Sequence, residues 1–446
     1  MERLESPMRP AEALGYVGIT LAIVTLFALP GVLTPIYWRV WATLFVVFIL
    51  LGTIRYYLSI LYSFRRPVEP HPGRPLSVDI VVPVLDEARV LPRHVRSILA
   101  QDHPGPIRAI YIVDADCRDA SLRILRRFAA RDPRIVIVER GGAPGKVPAL
   151  NRARGLADAD VVGFVDADVS LAPDLVRRAV AHLTSGADAV KGRSTPVNKR
   201  QGLMTAVIGA ERDIRERIEY YSKHAIGGFT VLTGGHFFIR REVLDRLGWF
   251  DEGIITEDMD LAARIQIEGY HLVHDPLMMA YEEAPGTLRD WYAQRYRWYR
   301  GWLQGSRRNL GPALMSRHLR GFHLMDTAFL LASTLIAPLL VLYYVLVVLK
   351  FMGISPGAMV PNEVHLIASS ISLFTPLAIL LMAYHERRVG RRFPWVELPA
   401  IVLILPYLLL YSVALWQAFL DEFVLRRPNR YRKYRRSGRV DHDAFD

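Results

Sequence analysis

The chain has 446 residues, 51% of them hydrophobic, and a formal net charge of +12. Apolar content gathered at the two ends of a chain this long excludes one compact soluble domain and indicates a membrane protein. The charge does not indicate nucleic acid, because the arginines flank the apolar runs (Arg65-Arg66, Arg307-Arg308, Arg387-Arg388, Arg391-Arg392 and the tail Arg426 to Arg439) and no nucleic-acid reader motif accompanies them.

In chain order, Leu14 to Leu33 and Val40 to Tyr62 come first. Each is long enough for a hydrocarbon core of about 30 Å, which takes about 20 apolar residues in a helix. No small-residue cleavage site separates them, so residues 1–66 read as a two-helix anchor rather than a secretory signal. Basic residues beside spans mark the inner face and meet anionic lipids, which predicts a multi-pass plasma-membrane protein whose next domain is cytoplasmic. Cys117 is the only cysteine, so no internal disulfide forms, as suits a reducing compartment.

Residues 77–290 change character to short apolar runs alternating with helical stretches, the pattern of strand-helix units around a mostly parallel sheet. Val78 to Val84 reads as a strand, Val90 to Gln101 as a helix, Ala109 to Val113 as a strand and Ala120 to Arg131 as a helix. Ile135 to Glu139 follows as a strand, Lys146 to Leu156 as a helix and Val161 to Val165 as a strand. Ligands of open α/β sheets bind beyond the carboxyl ends of the strands, so the acids there should converge on one crevice.

Asp86-Glu87 follow the first strand and Asp114 the second. A buried acid at that place can accept hydrogen bonds from a nucleobase edge, whereas Asp119 suits an N-cap for the helix after it. Gly141-Gly-Ala-Pro-Gly145-Lys146 is no Walker motif, yet a lysine at a helix start can meet phosphate. Asp166-Ala167-Asp168 puts two carboxylates one residue apart, which suits a divalent cation shared with a diphosphate. Thr233-Gly234-Gly235-His236 and Thr256-Glu257-Asp258 come next. Asp258 is the candidate general base, because a carboxylate in a water-poor cleft has its pKa raised toward that task; the competing reading makes Glu257 and Asp258 the acidic start of the helix Leu261 to Glu268. Gly234, Gly235, His236 and Glu257 are candidates for the acceptor side, His236 being either that or a packed residue rather than a ligand.

Residues 291–321 carry Trp291, Arg295, Trp298 and Trp302 at about one helical turn. An interfacial helix explains that spacing, while Gln294, Arg297 and Trp298 could close over a diphosphate and stack a sugar ring. Residues 322–421 hold three further apolar segments, Met325 to Leu349, Val364 to Tyr384 and Glu397 to Leu420. Three crossings would put the basic tail 422–446 outside, against the charge bias. The tail is therefore expected inside, with the last segment, broken by Pro399 and Pro406, re-entrant or interfacial unless one of the other spans is not a crossing.

These motifs together, from about Ser77 to Gln304, resemble glycosyltransferase family 2, in its membrane-bound cellulose synthase and hyaluronan synthase branch. They are Val82-Pro83-Val84-Leu85-Asp86-Glu87, Val113-Asp114-Ala-Asp116, Gly145-Lys146, Asp166-Ala-Asp168, Thr256-Glu257-Asp258 and Gln294-x-x-Arg297-Trp298. The resemblance implies a GT-A fold inserted between transmembrane helices, a nucleotide-diphospho-sugar donor, Mg2+ or Mn2+, and inversion at the anomeric carbon. By position Pro83, Asp86, Glu87 and Asp114 fall on the donor side with Lys146, Asp166, Gln294, Arg297 and Trp298. Asp168 and Asp166 match the metal acids, Asp258 the base, and Trp298 also faces the acceptor. The family's Asn-Glu is Asp86-Glu87 here and the second acid of its Asp-Asp pair is Ala115, so the donor base is open between uridine and guanosine. The short C-terminal region leaves little wall for a channel and favours one transfer to a lipid or polyprenyl-linked saccharide over processive synthesis of a polymer.

Overall fold

The computed structural model describes residues 2–3, 10–33, 35–71, 73–139, 145–351, 378–391, 395–431 and 436–441. The first four residues of the glycine-rich loop and most of the expected span Val364 to Tyr384 lie outside the described residues.

Eight strands form one sheet: β1 (Val78–Val84), β2 (Ile107–Val113), β3 (Ile135–Glu139), β4 (Val161–Val165), β5 (Ser170–Leu171), β6 (Ala189–Pro196), β7 (His236–Arg240) and β8 (Leu272–Glu282). Their order across the sheet is β3-β2-β1-β4-β7-β6-β8-β5. β1 is a continuous apolar run because it is central and covered on both faces. Val78, Ile80, Val82 and Val84 pack toward Leu91, Val95 and Ile98, and Val81 packs on the other side with Ile110, Val147 and Leu150. Asp79, the one acid within it, is buried yet satisfied, since both its oxygens meet the Arg108 guanidinium at 2.7 and 2.8 Å and Oδ2 accepts the Asp158 and Ala159 N–H groups.

The expectation of a mostly parallel sheet holds for the strands from β3 to β4 and again for β6 with β8. The exceptions are β7, antiparallel to both β4 and β6, and β5, antiparallel to β8, so the sheet is mixed. Chain order reverses direction between β1 and β4. This switch point opens the crevice into which the acids after β1, β2 and β4 lead.

Helix bounds move by a few residues. The first helix ends at Leu99, where the Gln101 side chain donates to the Ser97 and Ala172 carbonyls. Glu257–Ile267 starts four residues earlier than expected, which puts Glu257 and Asp258 in its first turn. The aromatic helix extends beyond the stretch Trp291 to Gln304 at both ends, as Leu288–Met315, and the Thr287 hydroxyl caps it by accepting the Asp290 N–H.

The apolar segments are helices at Pro10–Leu33, Pro35–Ser63, Gly321–Phe351 and Ala400–Phe419. Among the described residues, two windows are long and apolar enough to cross a membrane, Val46–Ser63 and Gly321–Pro338. The full multi-pass set is thus not reproduced. The last expected span is shortened for a physical reason: Glu397 is buried in a 3-10 turn against Lys199 at 2.7 Å, and the helix proper starts at Ala400.

The sheet domain is joined to these helices by the long helix Leu288–Met315. Gly301 lies on Thr256, where an added Cβ would sit 2.5 Å from the threonine side chain, and Gly305 lies 2.7 Å from the Met259 sulfur on the same measure. On its other side Trp291 Nε1 donates to the Tyr407 hydroxyl at 2.7 Å. We predict that Gly301→Val destabilises the protein by about 1–3 kcal/mol, as overpacking does, and displaces the turn at Thr256. Gly311, with nothing within 4 Å of its added Cβ, should accept alanine without loss; thermal unfolding of the two variants in one detergent checks both.

Candidate active site

The strand ends build the site. Asp114, just after β2, accepts the Asp116 N–H on Oδ1 and the Gly145 N–H on Oδ2, both at 2.9 Å. It therefore pins the residue that opens the helix Lys146–Arg152, whose first side chain turns into the crevice. Lys146 Nζ lies 2.7 Å from Asp166 Oδ1 and 2.9 Å from Glu257 Oε1. Burial opposes the charge on Lys146, but Asp166 and Glu257 outweigh it and hold the ammonium well above its ordinary range. In return, although burial pushes Asp166 up, Lys146 brings its carboxyl below the usual value.

Asp258 behaves in the opposite sense. Burial, and then the neighbouring Glu257 charge, push its carboxyl up to about 6 against the weaker pull of Lys146. Gly234 leaves the space in front of it: an added Cβ there would stand 3.2 Å from Asp258 Oδ2 and 3.9 Å from Asp166 Oδ2. Gly235 turns at φ +104, a conformation that favours glycine. The turn is anchored by the Thr233 hydroxyl, which donates to Glu216 at 3.2 Å, while Glu216 is itself paired with the buried Lys191 at 2.9 Å.

Two cavities meet at these groups. One, of about 300 Å³, is bounded by Pro83, Glu87, Asp114 and Asp116. The other, of about 340 Å³, holds Asp258, Gly234 and Gly235 and continues past Gln294 and Trp298 to Phe48, Leu330, Ser333 and Ala337 on the two apolar helices. Lys146, Asp166, Asp168, Ile255, Arg297 and Arg436 line both. The Trp298 ring borders the larger cavity and carries the Arg295 guanidinium 4.5 Å from its centroid.

Most of the residues singled out from the sequence come together here, and three readings change. His236 lines neither cavity; it is wholly buried in β7, its Nε2 against Gly192, and burial holds its imidazole well below the ordinary value. Asp86 builds its loop instead of lining the smaller cavity: at φ 49 it accepts the N–H groups of Arg118 at 2.6 Å and Asp119 at 3.2 Å. Trp291 and Arg295 are packing residues, Arg295 being buried against Glu211 and Tyr407. Sequence reasoning missed Arg436, read as one more basic tail residue, whose Nη2 lies 2.5 Å from Asp168 Oδ2.

Asp166 and Asp168 offer only carboxylate oxygens, the donors that Mg2+ and Mn2+ prefer. That donor set fits a divalent cation, which would share the acids with Lys146, 2.7 Å from Asp166, and Arg436, 2.5 Å from Asp168. A second grouping, Asp86, Cys117 and Asp119, brings one ligand atom of each within 4.8 Å. Its carboxylates accept the backbone N–H groups of Ala88, Arg118 and Ser121, which accounts for them as loop structure.

A family model described as glycosyl transferase family group 2 matches residues 161–419. The chain is 31% identical over 235 residues to a beta-monoglucosyldiacylglycerol synthase of Synechocystis sp., covering 51% of this chain and 48% of that protein. It is 28% identical over 254 residues to a probable glucomannan 4-beta-mannosyltransferase 9 of Oryza sativa subsp. japonica, covering 56% and 42%. The chain thus spans about half the length of these curated relatives. A mannosyltransferase of Pyrobaculum calidifontis, solved in complex with GDP-Man and Mn2+, matches over 84% of this chain and 99% of that chain with a TM-score of 0.53 at 20% identity, so the GT-A-like fold is shared.

The charges around Asp258 set a test of the geometry. Removing the negative neighbour in Glu257→Gln should lower the Asp258 protonation midpoint from about 6, and removing the ammonium in Lys146→Met should raise it. Infrared pH-difference spectra, with the band assigned by its loss in Asp258→Asn, read both directions; no movement in either variant would contradict the arrangement.

Proposed function

The chain belongs to the glycosyl transferase family group 2, and from that premise we propose that it moves a hexose from a UDP- or GDP-sugar to a membrane-associated acceptor, a lipid or polyprenyl-linked saccharide, with inversion. The observation that carries this reading is the meeting of the two cavities at Lys146 and Asp166, one lined by acids at the strand ends and the other running to the apolar helices. The smaller cavity takes the nucleotide, with Asp114 and Pro83 at the base and Glu87 nearby. The larger one takes the acceptor, with Gly234, Gly235 and Glu257 beneath it and the Trp298 ring against its sugar or headgroup. The similarity to a glycolipid synthase supports a lipid acceptor. In the same reading the apolar helices hold residues 77–290 at the inner face of the membrane, where the basic residues meet anionic lipids.

Asp258 takes the proton of the acceptor hydroxyl, and that oxygen bonds to the anomeric carbon from the face opposite the leaving group. The bond from the anomeric carbon to the diphosphate oxygen breaks as the new one forms. The nucleoside diphosphate departs with the electron pair, and Lys146, Arg297 and, near the acceptor edge, Gln294 meet the charge that develops. Mg2+ or Mn2+ held by Asp168 and Asp166 would add positive charge beside the diphosphate.

A processive polysaccharide synthase is the second reading, favoured by Gln294-x-x-Arg297-Trp298 and by similarity to a glucomannan mannosyltransferase. Product length on a gel separates the two, and long polymers from purified protein would overturn single transfer.

Thermal-shift measurements with UDP- and GDP-sugars and Mn2+ should reveal the donor, since a ligand at about 100 times its Kd stabilises by about 2.7 kcal/mol. Asp258→Asn should abolish transfer while donor affinity stays within about threefold. The wild-type rate should rise with pH through about 6, because the base must be ionised to accept a proton and burial raises its pKa to that value. Asp168→Ala should remove the metal-dependent part of donor binding, whereas unchanged binding in chelator would refute the metal assignment.

A further inference from the structure

Two described stretches that follow the last helix pack against the rest of the protein. Tyr296 donates to Asp421 at 2.7 Å, and Glu422 accepts Arg300 Nε at 3.0 Å and Gln304 Nε2 at 2.9 Å. The Arg300 guanidinium also donates to the Pro428 carbonyl at 2.9 Å. Residues 421–428 are thereby clasped to the helix Leu288–Met315.

Residues 436–441 then lie across the sheet domain. The buried Glu283 carboxylate accepts two consecutive backbone N–H groups, Ser437 at 2.6 Å and Gly438 at 2.9 Å. Gly438 turns at φ +74 with its added Cβ 3.2 Å from the Arg89 carbonyl oxygen, so a side chain there would be strained and crowded. Asp441 closes the segment, its N–H donating to the Val197 carbonyl at 2.7 Å and its carboxylate accepting the Arg200 N–H at 2.9 Å. Immediately before these anchors the Arg436 side chain is only 17% exposed. Its Nη1 donates to the Glu283 carbonyl at 2.5 Å, its Nη2 meets Asp168 at 2.5 Å, and it lines both cavities.

We propose that residues 436–441 form a strap that completes the donor pocket, and that Arg436 is a donor-binding residue whose guanidinium, held by Asp168 and the Glu283 carbonyl, meets the nucleotide diphosphate. The inference rests on the reading of the site as a nucleotide-sugar pocket. A guanidinium is planar and presents its N–H donors in a fork that matches phosphate oxygens, and Arg436 lines the cavity beside the acids. The anchors at Glu283 and Asp441 fix its backbone, which lowers the entropy lost when the ligand binds.

The test uses the full chain and calorimetric titration with UDP and GDP, with Mn2+ and again in chelator. Whichever diphosphate binds the wild type should bind Arg436→Ala about tenfold more weakly or worse, the loss expected of a charge-assisted hydrogen bond. The matching monophosphate should lose less, and Arg436→Lys should recover part of the affinity. Glu283→Gln, which keeps Arg436 but weakens the anchor, should give an intermediate loss, and thermal unfolding without ligand reports whether each variant folds. Equal affinity in wild type and Arg436→Ala would overturn the strap's role while leaving the donor pocket standing. Tighter binding in Arg436→Ala would overturn it too, by showing that the side chain blocks the pocket. If neither diphosphate bound the wild type, the donor-pocket reading itself would fall.

Discussion

A single ammonium among acids organises this molecule's site. Lys146 stands between Asp166 at the end of β4 and Glu257 at the start of a helix more than ninety residues later in the chain. Without it those carboxylates, with Asp258 beside them, would repel one another across a few ångströms in a crevice where water screens weakly. Against the burial that pushes it up, the lysine brings the Asp166 carboxyl below its usual value, whereas Asp258 keeps the raised pKa that burial gives it. Two buried aspartates of one site thus shift in opposite senses.

That arrangement needs its two halves held in register, and the means are unusual for their cost. Asp213, on the helix Leu203–Ile214, is buried between Arg193 of β6 at 3.1 Å and Lys199 at 2.5 Å. The same two cations reach Glu386 at 2.6 Å and Glu397 at 2.7 Å in the C-terminal region. Buried ion pairs contribute little net stability, since desolvation offsets their attraction, yet losing one partner is expensive. The network therefore acts mainly on geometry: it permits one seating of the sheet on the C-terminal segments that carry Glu386 and Glu397.

Much of this was legible in the sequence, for reasons that can be stated residue by residue. Asp114, Asp166 and Asp168 follow apolar runs of strand length, and an α/β sheet delivers such acids to one edge. Asp258 was legible both as a base and as a helix-start acid; the helix begins at Glu257, which bears out the second reading, and its first turn faces the crevice, which is compatible with the proposed first. Local pattern could not say which way a side chain points once a strand starts. Gly234-Gly235-His236 looks like one loop, yet β7 begins at His236 and the alternation of a strand carries that ring into the core beside Gly192. Nor could pattern separate Arg436 from its neighbours in an arginine-rich tail, since its distinction is a partner, Asp168, lying 268 positions earlier in the chain.

The order of parts also bears on how an acceptor arrives. The cavity holding Asp258 is walled by sheet loops on one side and by Phe48, Leu330, Ser333 and Ala337 on the other. Those helices are tied together where Arg55 pairs with Asp326, and Asp326 in turn accepts the Phe229 N–H at 2.8 Å, just upstream of Thr233 and the glycine turn. One carboxylate thus links an apolar helix, its neighbour and the segment leading to the floor of the site. A water-borne acceptor would need no such wall, because its binding energy would come from polar contacts near the reacting hydroxyl. An acceptor with an apolar part gains from burying that part against the helices, and this gain can be used to hold the hydroxyl beside Asp258. For the proposed lipid acceptor, an apolar extension and a fixed polar end would both be served by a sheet docked on its helices rather than tethered by a loose linker.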